Sequence, residues 1–172
     1  TLIANDITVA CYAAEQAKAL SDAARAAGGR VKIHLKADTG MGRIGFALRT
    51  DLKKAVREMI AASKLPGLEL TGLFQHFAVA DADNDADRAY TDEQHALFVR
   101  AYEALKEAGC EPPIVHCDNS AGVMLHPDWP AGLPRARCMG RPGIILYGYD
   151  PSDEVRFGLF RPVMTLKTVV SM

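Results

Sequence analysis

The stretch KADTGMGRIGF, residues 36–46, combines three charged side chains with three glycines. Lys36 and Asp38 are two positions apart on a predicted strand, so their side chains should lie on the same face of the sheet. The glycines of the TGMG turn that follows allow the backbone to bring Arg43 back over the end of that strand. This combination of charge and bare backbone marks a candidate catalytic or binding site. The alternative is that Lys36 and Asp38 form a structural ion pair.

The elements that must position these residues alternate between short β-rich runs and helical segments. Apolar residues at helical spacing, such as Leu52, Val56 and Met59, predict a helix between two strands. We predict strands at 7–11, 31–37, 68–78, 113–121 and 141–148, and helices at 13–28, 49–63 and 91–108, with Thr91 as the N-cap of the last helix. Such an alternation is typical of a parallel sheet covered by helices.

Polar and glycine residues follow each predicted strand rather than precede it, as in HCDNSA (116–121) and RPGIILYG (141–148). In a (β/α)₈ barrel the chemistry collects in the loops at the carboxyl ends of the strands, so this asymmetry favours a barrel. An open doubly wound sheet, which also binds ligands there, is the alternative. Near the end, FRPVMTLKTVVSM is β-rich with no helix after it. We therefore predict a barrel domain over 1–152 and the start of a β-domain over 153–172.

Composition limits the classes of function. The 172 residues are 49% apolar and 24% charged, which is typical of a globular protein. A net charge of −1 and a pI near 6.5 provide no basic surface for nucleic acid or a membrane, so we expect a small-molecule substrate. No apolar run approaches the roughly 20 residues that span a bilayer. The four cysteines lack CxxC spacing, so we predict reduced thiols, no metal site and a cytoplasmic location.

Four motifs extend across nearly the whole chain: HLKADTGMGRIGF (34–46), GLFQHFAVAD (72–81), HCDNSA (116–121) and RPGIILYGYDPS (141–152). Together, and in this order, they resemble the alanine racemases, enzymes that depend on pyridoxal 5'-phosphate (PLP). The resemblance implies a PLP-binding (β/α)₈ barrel followed by a β-domain, a homodimer, and racemisation of L-alanine to D-alanine for peptidoglycan synthesis.

The resemblance also implies that this chain holds only part of such a protein. Its first residues align near the fourth barrel strand, so the chain would contain strands four to eight. The lysine that binds PLP and the tyrosine that acts as the second base would then lie outside it. We expect this polypeptide alone not to racemise alanine, because each missing acid or base contributes about 10² to 10⁴ in rate. Its two edge strands would be open to pairing with other segments.

By the same resemblance, four side chains carry the catalytic roles. Arg43 would contact the phenolic oxygen of PLP and the substrate carboxylate, for which a planar guanidinium is suited. Lys36 matches a position that is often carbamylated, which would make it an anion that holds Arg43. His76 would lie under the cofactor ring and hydrogen-bond to Arg141. Arg141 would face the pyridine nitrogen, and because arginine keeps its proton, that nitrogen would stay unprotonated and transamination would be suppressed.

The loops after strands seven and eight are predicted to bind the phosphate of PLP, as in many TIM barrels. Ser120 would donate its hydroxyl, Gly143 and Ile144 would donate their N–H groups, and Asn119 would orient the turn. A glycine at position 143 permits a close approach that a bulkier residue would block.

The remaining histidines are given no catalytic role. We assign His116 a structural role, and His34, His95 and His126 carry no signal of their own. Gln75 stands where the family usually has threonine, which affects the local hydrogen bonding.

Three alternatives stay open at this point. They are a serine or broad-specificity racemase of the same fold, a decarboxylase on a similar barrel, and a non-catalytic PLP-binding barrel protein. The decarboxylases carry an acidic residue where Arg141 stands, which argues against them. The single-domain PLP carriers lack the β-domain that RPVMTLKTVV suggests.

Overall fold

The computed structural model describes residues 1–126, 133 and 137–170 of the chain. In that part, the strands are β1 (Val9–Cys11), β2 (Val31–Asp38), β3 (Phe46–Ala47), β4 (Leu68–Phe74), β5 (Ile114–His116) and β6 (Arg137–Cys138). The helices are α1 (Ala14–Ala26), α2 (Leu52–Ser63), α3 (Asp85–Glu107) and α4 (Ser120–Leu125), and a 3₁₀ turn covers Ile144–Tyr147. Strands and helices alternate along the chain, as predicted.

Five strands form one parallel sheet in the order β1-β2-β4-β5-β6, which is their order along the chain. The two-residue β3 pairs beside the end of β2. A doubly wound sheet reverses its strand order at a switch point, whereas a barrel adds each strand next to the previous one. The observed order therefore confirms a partial (β/α)₈ barrel and excludes the doubly wound alternative.

The core lies between this sheet and the helices that pack on it. Fully buried residues come from the strands, such as Ile33, Leu35 and Leu73, and from the helices, such as Met59 and Phe98. Along β2 the buried Val31, Ile33 and Leu35 alternate with polar residues, so one face of this strand packs in the core. Each large side chain buried in this way contributes about 1.5 to 3 kcal/mol of stability. This packing fixes the carboxyl ends of the strands relative to one another.

Helix α3 begins earlier than predicted. Its N-cap is Asn84, whose side chain accepts a hydrogen bond from the N–H of Asp87 at 3.0 Å. Thr91, the predicted N-cap, is a buried residue within the helix, and its hydroxyl donates to the carbonyl oxygen of Asp87. The prediction was wrong because the polar run DADNDAD was interpreted as a loop. Acidic residues in a first helical turn are favourable, since they lie at the positive end of the helix dipole.

Two predicted strands end earlier than expected. Strand β4 ends at Phe74 rather than at residue 78. Strand β5 ends at His116 rather than at residue 121, and Ser120 already begins α4. The polar residues after each strand therefore lie in loops at one edge of the sheet, where side chains are free to face a ligand.

The strand predicted at 141–148 is wrong. This segment contains the 3₁₀ turn Ile144–Tyr147, and the last strand of the sheet is the preceding β6. Pro142 has no N–H to donate, so it disfavours a ladder at this point. The loop that contains Arg141 therefore follows the last strand directly.

Residues 149–170 contain no helix or strand. Leu166, Val169 and Val170 are almost fully exposed, and a β-strand forms only where a partner strand pairs with it. The start of a β-domain at 153–172 stays a prediction, and its last two residues lie outside the described part. None of the helices in the described ranges has the length and apolarity needed to cross a bilayer.

Candidate active site

The carboxyl ends of β2, β4, β5 and β6 meet at one edge of the sheet. Their register places Lys36 opposite Phe74, and Phe74 opposite His116. A cleft of about 240 Å³ opens beside them, and its lining consists of His76, Asp81, Asn119, Ser120, Ala121, Arg141, Gly143, Ile144 and Pro151. Residues from three separate sequence motifs thus line a single cleft.

Arg141 is held at the wall of this cleft by acceptors alone. Its Nη1 lies 2.7 Å from Nδ1 of His116, and its Nη2 donates to the carbonyl oxygens of Gln75 (2.6 Å) and Cys117 (3.3 Å). The same Nη2 lies 3.4 Å from Nδ1 of His76. A guanidinium has five donors and no acceptor, so these contacts fix both its position and the direction of every hydrogen bond.

The donor-only character of Arg141 determines the tautomers of two histidines. His116 Nδ1 must accept from Arg141, so a neutral His116 carries its proton on Nε2. That nitrogen lies 2.9 Å from Nδ1 of His34 and donates to it. His34 then carries its own proton on Nε2. This line from Arg141 through His116 to His34 exists only while both imidazoles are neutral.

The surroundings keep these imidazoles neutral. Burial lowers the pKa of His116 to about 3, and the neighbouring Arg141 and His34 contribute to that shift. Burial also lowers the pKa of His34. The ring of Phe74 stacks on His116, with centroids 4.9 Å apart and planes 5° apart. His116 is therefore uncharged where it stacks on Phe74 and accepts a hydrogen bond from Arg141.

Acid is expected to lower the stability of the folded protein, because it protonates His116. The folded-state pKa of His116 lies below its ordinary value of 6.5, so its contribution is complete above pH 6.5 and is lost as the pH falls towards 3. Between these pH values His116 binds a proton in the unfolded chain but not in the folded protein. The free energy of unfolding therefore falls by up to about 1.4 kcal/mol per pH unit. Urea unfolding of the full-length protein and a His116→Asn variant, from neutral pH to about pH 4, should show stabilities that converge on acidification. Parallel profiles would contradict the assignment.

Lys36 is a buried amine, with an exposed fraction of 3%. Its Nζ donates to the carbonyl oxygen of Ala37 at 2.9 Å. Burial lowers the pKa of Lys36 to about 8, and the carboxylate of Asp38 opposes that shift. The positive charges of Arg141 and Arg43 lower the pKa of Lys36 further. In a fraction of the molecules the Lys36 amine is therefore uncharged near neutral pH, and the uncharged form is nucleophilic.

The carboxylate of Asp38 hydrogen-bonds to the glycine-rich turn and not to Lys36. Its Oδ1 accepts from the N–H groups of Gly40 and Gly42, each at 3.0 Å. A Lys36–Asp38 pair is not among the ion pairs of the described ranges. Gly45, with φ of 134°, is required because a Cβ there would come within 2.7 Å of the backbone nitrogen of Asp38. The alternative of a structural ion pair is therefore wrong.

Arg43 is exposed on the loop that follows β2. Burial lowers the pKa of His76, the predicted partner of Arg141. The positive charges of Arg141, Arg43 and Lys36 lower the pKa of that imidazole further. The three cations thus act on one neutral imidazole at the edge of the cleft, an arrangement that favours an anionic ligand.

The two predicted phosphate-binding loops contact each other. Ser120 Oγ accepts from the N–H of Gly143 at 2.8 Å, and the side chain of Asn119 caps α4 by accepting from Gly122 N at 3.0 Å. Ile144 begins the 3₁₀ turn next to them. A Cβ at position 143 would lie 3.9 Å from Ser120 Oγ, which is ordinary contact. Packing within the described chain therefore does not by itself require glycine at 143.

Sequence reasoning missed two histidines of this site. His116 contacts Arg141 directly, and His34 contacts His116. The signal that could have found His34 is its spacing, since His34 and Lys36 are two apart on one strand and share a face. His116 could not be found in this way, because its position depends on the register of β5 against β4.

Comparison with known proteins identifies close relatives. The family model for the N-terminal domain of alanine racemase matches residues 1–151. An alanine racemase of Clostridium perfringens (strain SM101 / Type A) is 40% identical over 172 residues, covering 99% of this chain and 42% of that protein. An alanine racemase of Methanococcus maripaludis is 39% identical over 173 residues, covering 99% of this chain and 43% of that protein.

Solved structures agree with these sequence matches. The alanine racemase of Clostridium difficile 630 in complex with cycloserine superposes with a TM-score of 0.80 at 36% identity, over 94% of this chain and 41% of that one. The Bacillus anthracis enzyme with bound L-Ala-P gives a TM-score of 0.68 at 32% identity, over 90% of this chain and 37% of that one. The chain spans about two fifths of the length of the curated relatives that it matches. With a family match over residues 1–151, this chain belongs to the alanine racemase family.

Proposed function

We propose that this chain forms the cofactor-binding part of a PLP-dependent racemase that interconverts L-alanine and D-alanine. The observation that carries the proposal is the position of Arg141. Its guanidinium is bound to neutral His116 at 2.7 Å and lies 3.4 Å from His76, in the cleft that Ser120 and Gly143 also line. A donor-only group beside a neutral imidazole suits a pyridine nitrogen that is to remain unprotonated.

The residues present fit PLP by the chemistry of their donors. The N–H of Gly143 holds Ser120 Oγ and leaves the hydroxyl proton of Ser120 to donate to a phosphate. The N–H of Ile144 is offered to the same phosphate, and Arg141 offers N–H groups to a ring nitrogen. The absence of a packing reason for Gly143 supports the same proposal, because a ligand that approaches the backbone supplies the reason. When bound, PLP supplies the electron sink that makes the Cα proton of an amino acid removable.

Each of the other side chains then has a defined task. Arg43 orients the substrate carboxylate with its planar fork, and its exposed position leaves it accessible to an incoming amino acid. His76 would stay neutral, accept from Arg141 and contact the cofactor when it is bound. Arg141 holds the ring nitrogen without giving it a proton, which limits the chemistry to removing and returning the α-proton.

We further propose that Lys36 is carbamylated. Its amine nitrogen would form a bond to the carbon of CO₂ and release a proton, which requires the uncharged amine. A pKa of about 8 for Lys36 makes that form available. The resulting anion would replace one of three neighbouring positive charges and would hold Arg43 in place.

The remaining catalytic groups come from elsewhere in this proposal. The PLP-binding lysine and the tyrosine base lie outside these 172 residues, the tyrosine on the partner subunit of a homodimer. The whole protein supplies D-alanine for peptidoglycan in the cytoplasm.

A comparison of substrates tests the proposal against the alternatives. The full-length protein, purified with PLP, is incubated with L-alanine and L-serine separately, and the enantiomers are resolved by chiral chromatography. We expect D-alanine to form faster than D-serine. Faster D-serine would indicate a serine racemase, release of CO₂ a decarboxylase, and bound PLP without turnover a carrier protein.

Replacement of Ser120 by alanine is expected to weaken PLP binding about 10- to 100-fold, the usual effect of losing one hydrogen bond to a charged group. The KM for alanine should change little, because Ser120 contacts the phosphate loop and not the substrate. A matched control is Ser21→Ala, since Ser21 Oγ also accepts from a glycine N–H, that of Gly67 at 3.0 Å, away from the cleft. Equal losses of cofactor and alanine affinity on titration would refute the phosphate role.

A further inference from the structure

A buried network of polar side chains lies behind the cleft. Thr39, Gln75 and Gln94 all have exposed fractions of 0%. They come from the end of β2, the end of β4 and the middle of α3, so the network joins three elements. Buried polar groups are costly unless they are paired, which makes the partners of these groups informative.

Gln94 uses both ends of its amide on the backbone that directly follows His76. Its Oε1 accepts from the N–H of Ala78 at 2.9 Å, and its Nε2 donates to the carbonyl oxygen of His76 at 3.2 Å. The same Nε2 donates to the hydroxyl of Thr39 at 3.1 Å. The segment 76–78 follows the end of β4, and these contacts hold its backbone to helix α3.

The network continues to the acceptors of Arg141. Thr39 Oγ1 donates to Gln75 Oε1 at 2.8 Å, and Gln75 Nε2 donates to the carbonyl oxygen of Cys117 at 3.3 Å. That carbonyl also accepts from Arg141, as does the carbonyl of Gln75 itself. Each hydrogen bond of this chain is donated in the same direction, from Gln94 through Thr39 and Gln75 to the carbonyl oxygen of Cys117.

We propose that Gln94 is a positioning residue that sets the His76 ring against Arg141 by holding the backbone that directly follows His76. The proposal rests on the function proposed above for His76 and Arg141. Gln94 itself touches neither substrate nor cofactor, since it lies on α3 behind the loop.

The pKa of His76 reports the position of its ring, because charged groups surround it. Arg141 follows β6, Arg43 and Lys36 come from β2 and its loop, and Asp81 lines the same cleft. Burial and the positive charges of Arg141 and Arg43 lower the pKa of His76 in the native arrangement. A ring that moves away from them should titrate closer to its ordinary range, whereas a mere loss of stability leaves the titration of the folded protein unchanged.

The test replaces Gln94 by methionine in the full-length protein, which keeps the length of the side chain and removes its hydrogen bonds. The His76 ring is followed by NMR in histidine-labelled protein without cofactor, and a His76→Gln variant assigns its signal. We expect the pKa of His76 to rise and kcat to fall about 10²-fold with little change in the KM for alanine, as for a small misplacement of a catalytic group. If Gln94→Met does not fold, Gln94→Asn, which is too short to reach both backbone groups, should show the same rise.

Gln16 provides the matched control. Its Oε1 accepts from Tyr12 N at 2.9 Å and its Nε2 donates to the carbonyl oxygen of Ala10 at 3.1 Å, the same arrangement at the end of β1. Gln16→Met should leave the titration of His76 unchanged. A Gln94 variant with a native His76 titration and native kcat, whatever its stability, would overturn the proposal, as would an equal shift in the Gln16 variant. The titration does not depend on turnover, so an inactive native protein would refute the racemase function and leave the positioning role standing.

Discussion

Replacing Arg141 by glutamate in the full-length protein is expected to slow racemisation about 10²-fold, the usual cost of removing a preorganised charged donor from a site. Transamination should rise relative to racemisation, because a carboxylate would let the pyridine nitrogen hold a proton. The structure adds a second consequence. His116 Nδ1 would lose its donor, and its pKa, now lowered to about 3 partly by Arg141, should rise.

The measurement is the ratio of pyruvate to D-alanine formed from L-alanine. Arg141→Lys is the matched control, because it keeps the positive charge while losing the planar fork. It should slow turnover without raising that ratio. An unchanged ratio in the glutamate variant would show that Arg141 does not control the ring nitrogen.

Replacing Arg43 by alanine should raise the KM for alanine about 10- to 100-fold, since a hydrogen bond to a charged group contributes about 1.5 to 3 kcal/mol. The free energy of unfolding should change by no more than about 0.5 kcal/mol, because Arg43 is exposed and not part of the core. The pKa of His76 should rise, because one of the cations that lower it has been removed.

Arg57→Ala, which removes an exposed arginine from α2, serves as the control and should leave KM unchanged. Steady-state kinetics and chemical unfolding of both variants provide the comparison. If Arg43→Ala unfolds the protein, or if its KM equals that of the control, then Arg43 does not bind the carboxylate.

The parts of the fold that could be predicted are those with a strong local pattern. Strand β2 and helices α1 and α2 were found within a few residues, because buried apolar positions recur with the period of each element. The start of α3 was missed because Asn84 and its acidic neighbours have the same composition as a loop. The strand at 141–148 was wrong because a short apolar run, IILY, does not reveal whether it pairs or turns.

Only some of the residues of the candidate site could be predicted from the sequence. Motif spacing and family resemblance were enough to propose Arg43, His76, Ser120 and Arg141, because each follows a strand in a readable motif. The residues that position these side chains could not be predicted from motifs. Gln94 lies on a helix 18 positions after His76, and His116 depends on the strand register, so both are properties of the folded chain.

Isotope exchange at Cα is the most direct test of the proposed racemisation. The full-length protein with PLP is incubated with L-alanine in deuterated water, and both the loss of the Cα proton and the configuration of the product are followed by NMR and chiral chromatography. We expect D-alanine that carries deuterium at Cα, formed by the native protein and strongly reduced in the Arg141→Glu variant. Absence of both D-alanine and Cα exchange in a native protein that has bound PLP would contradict the proposed function.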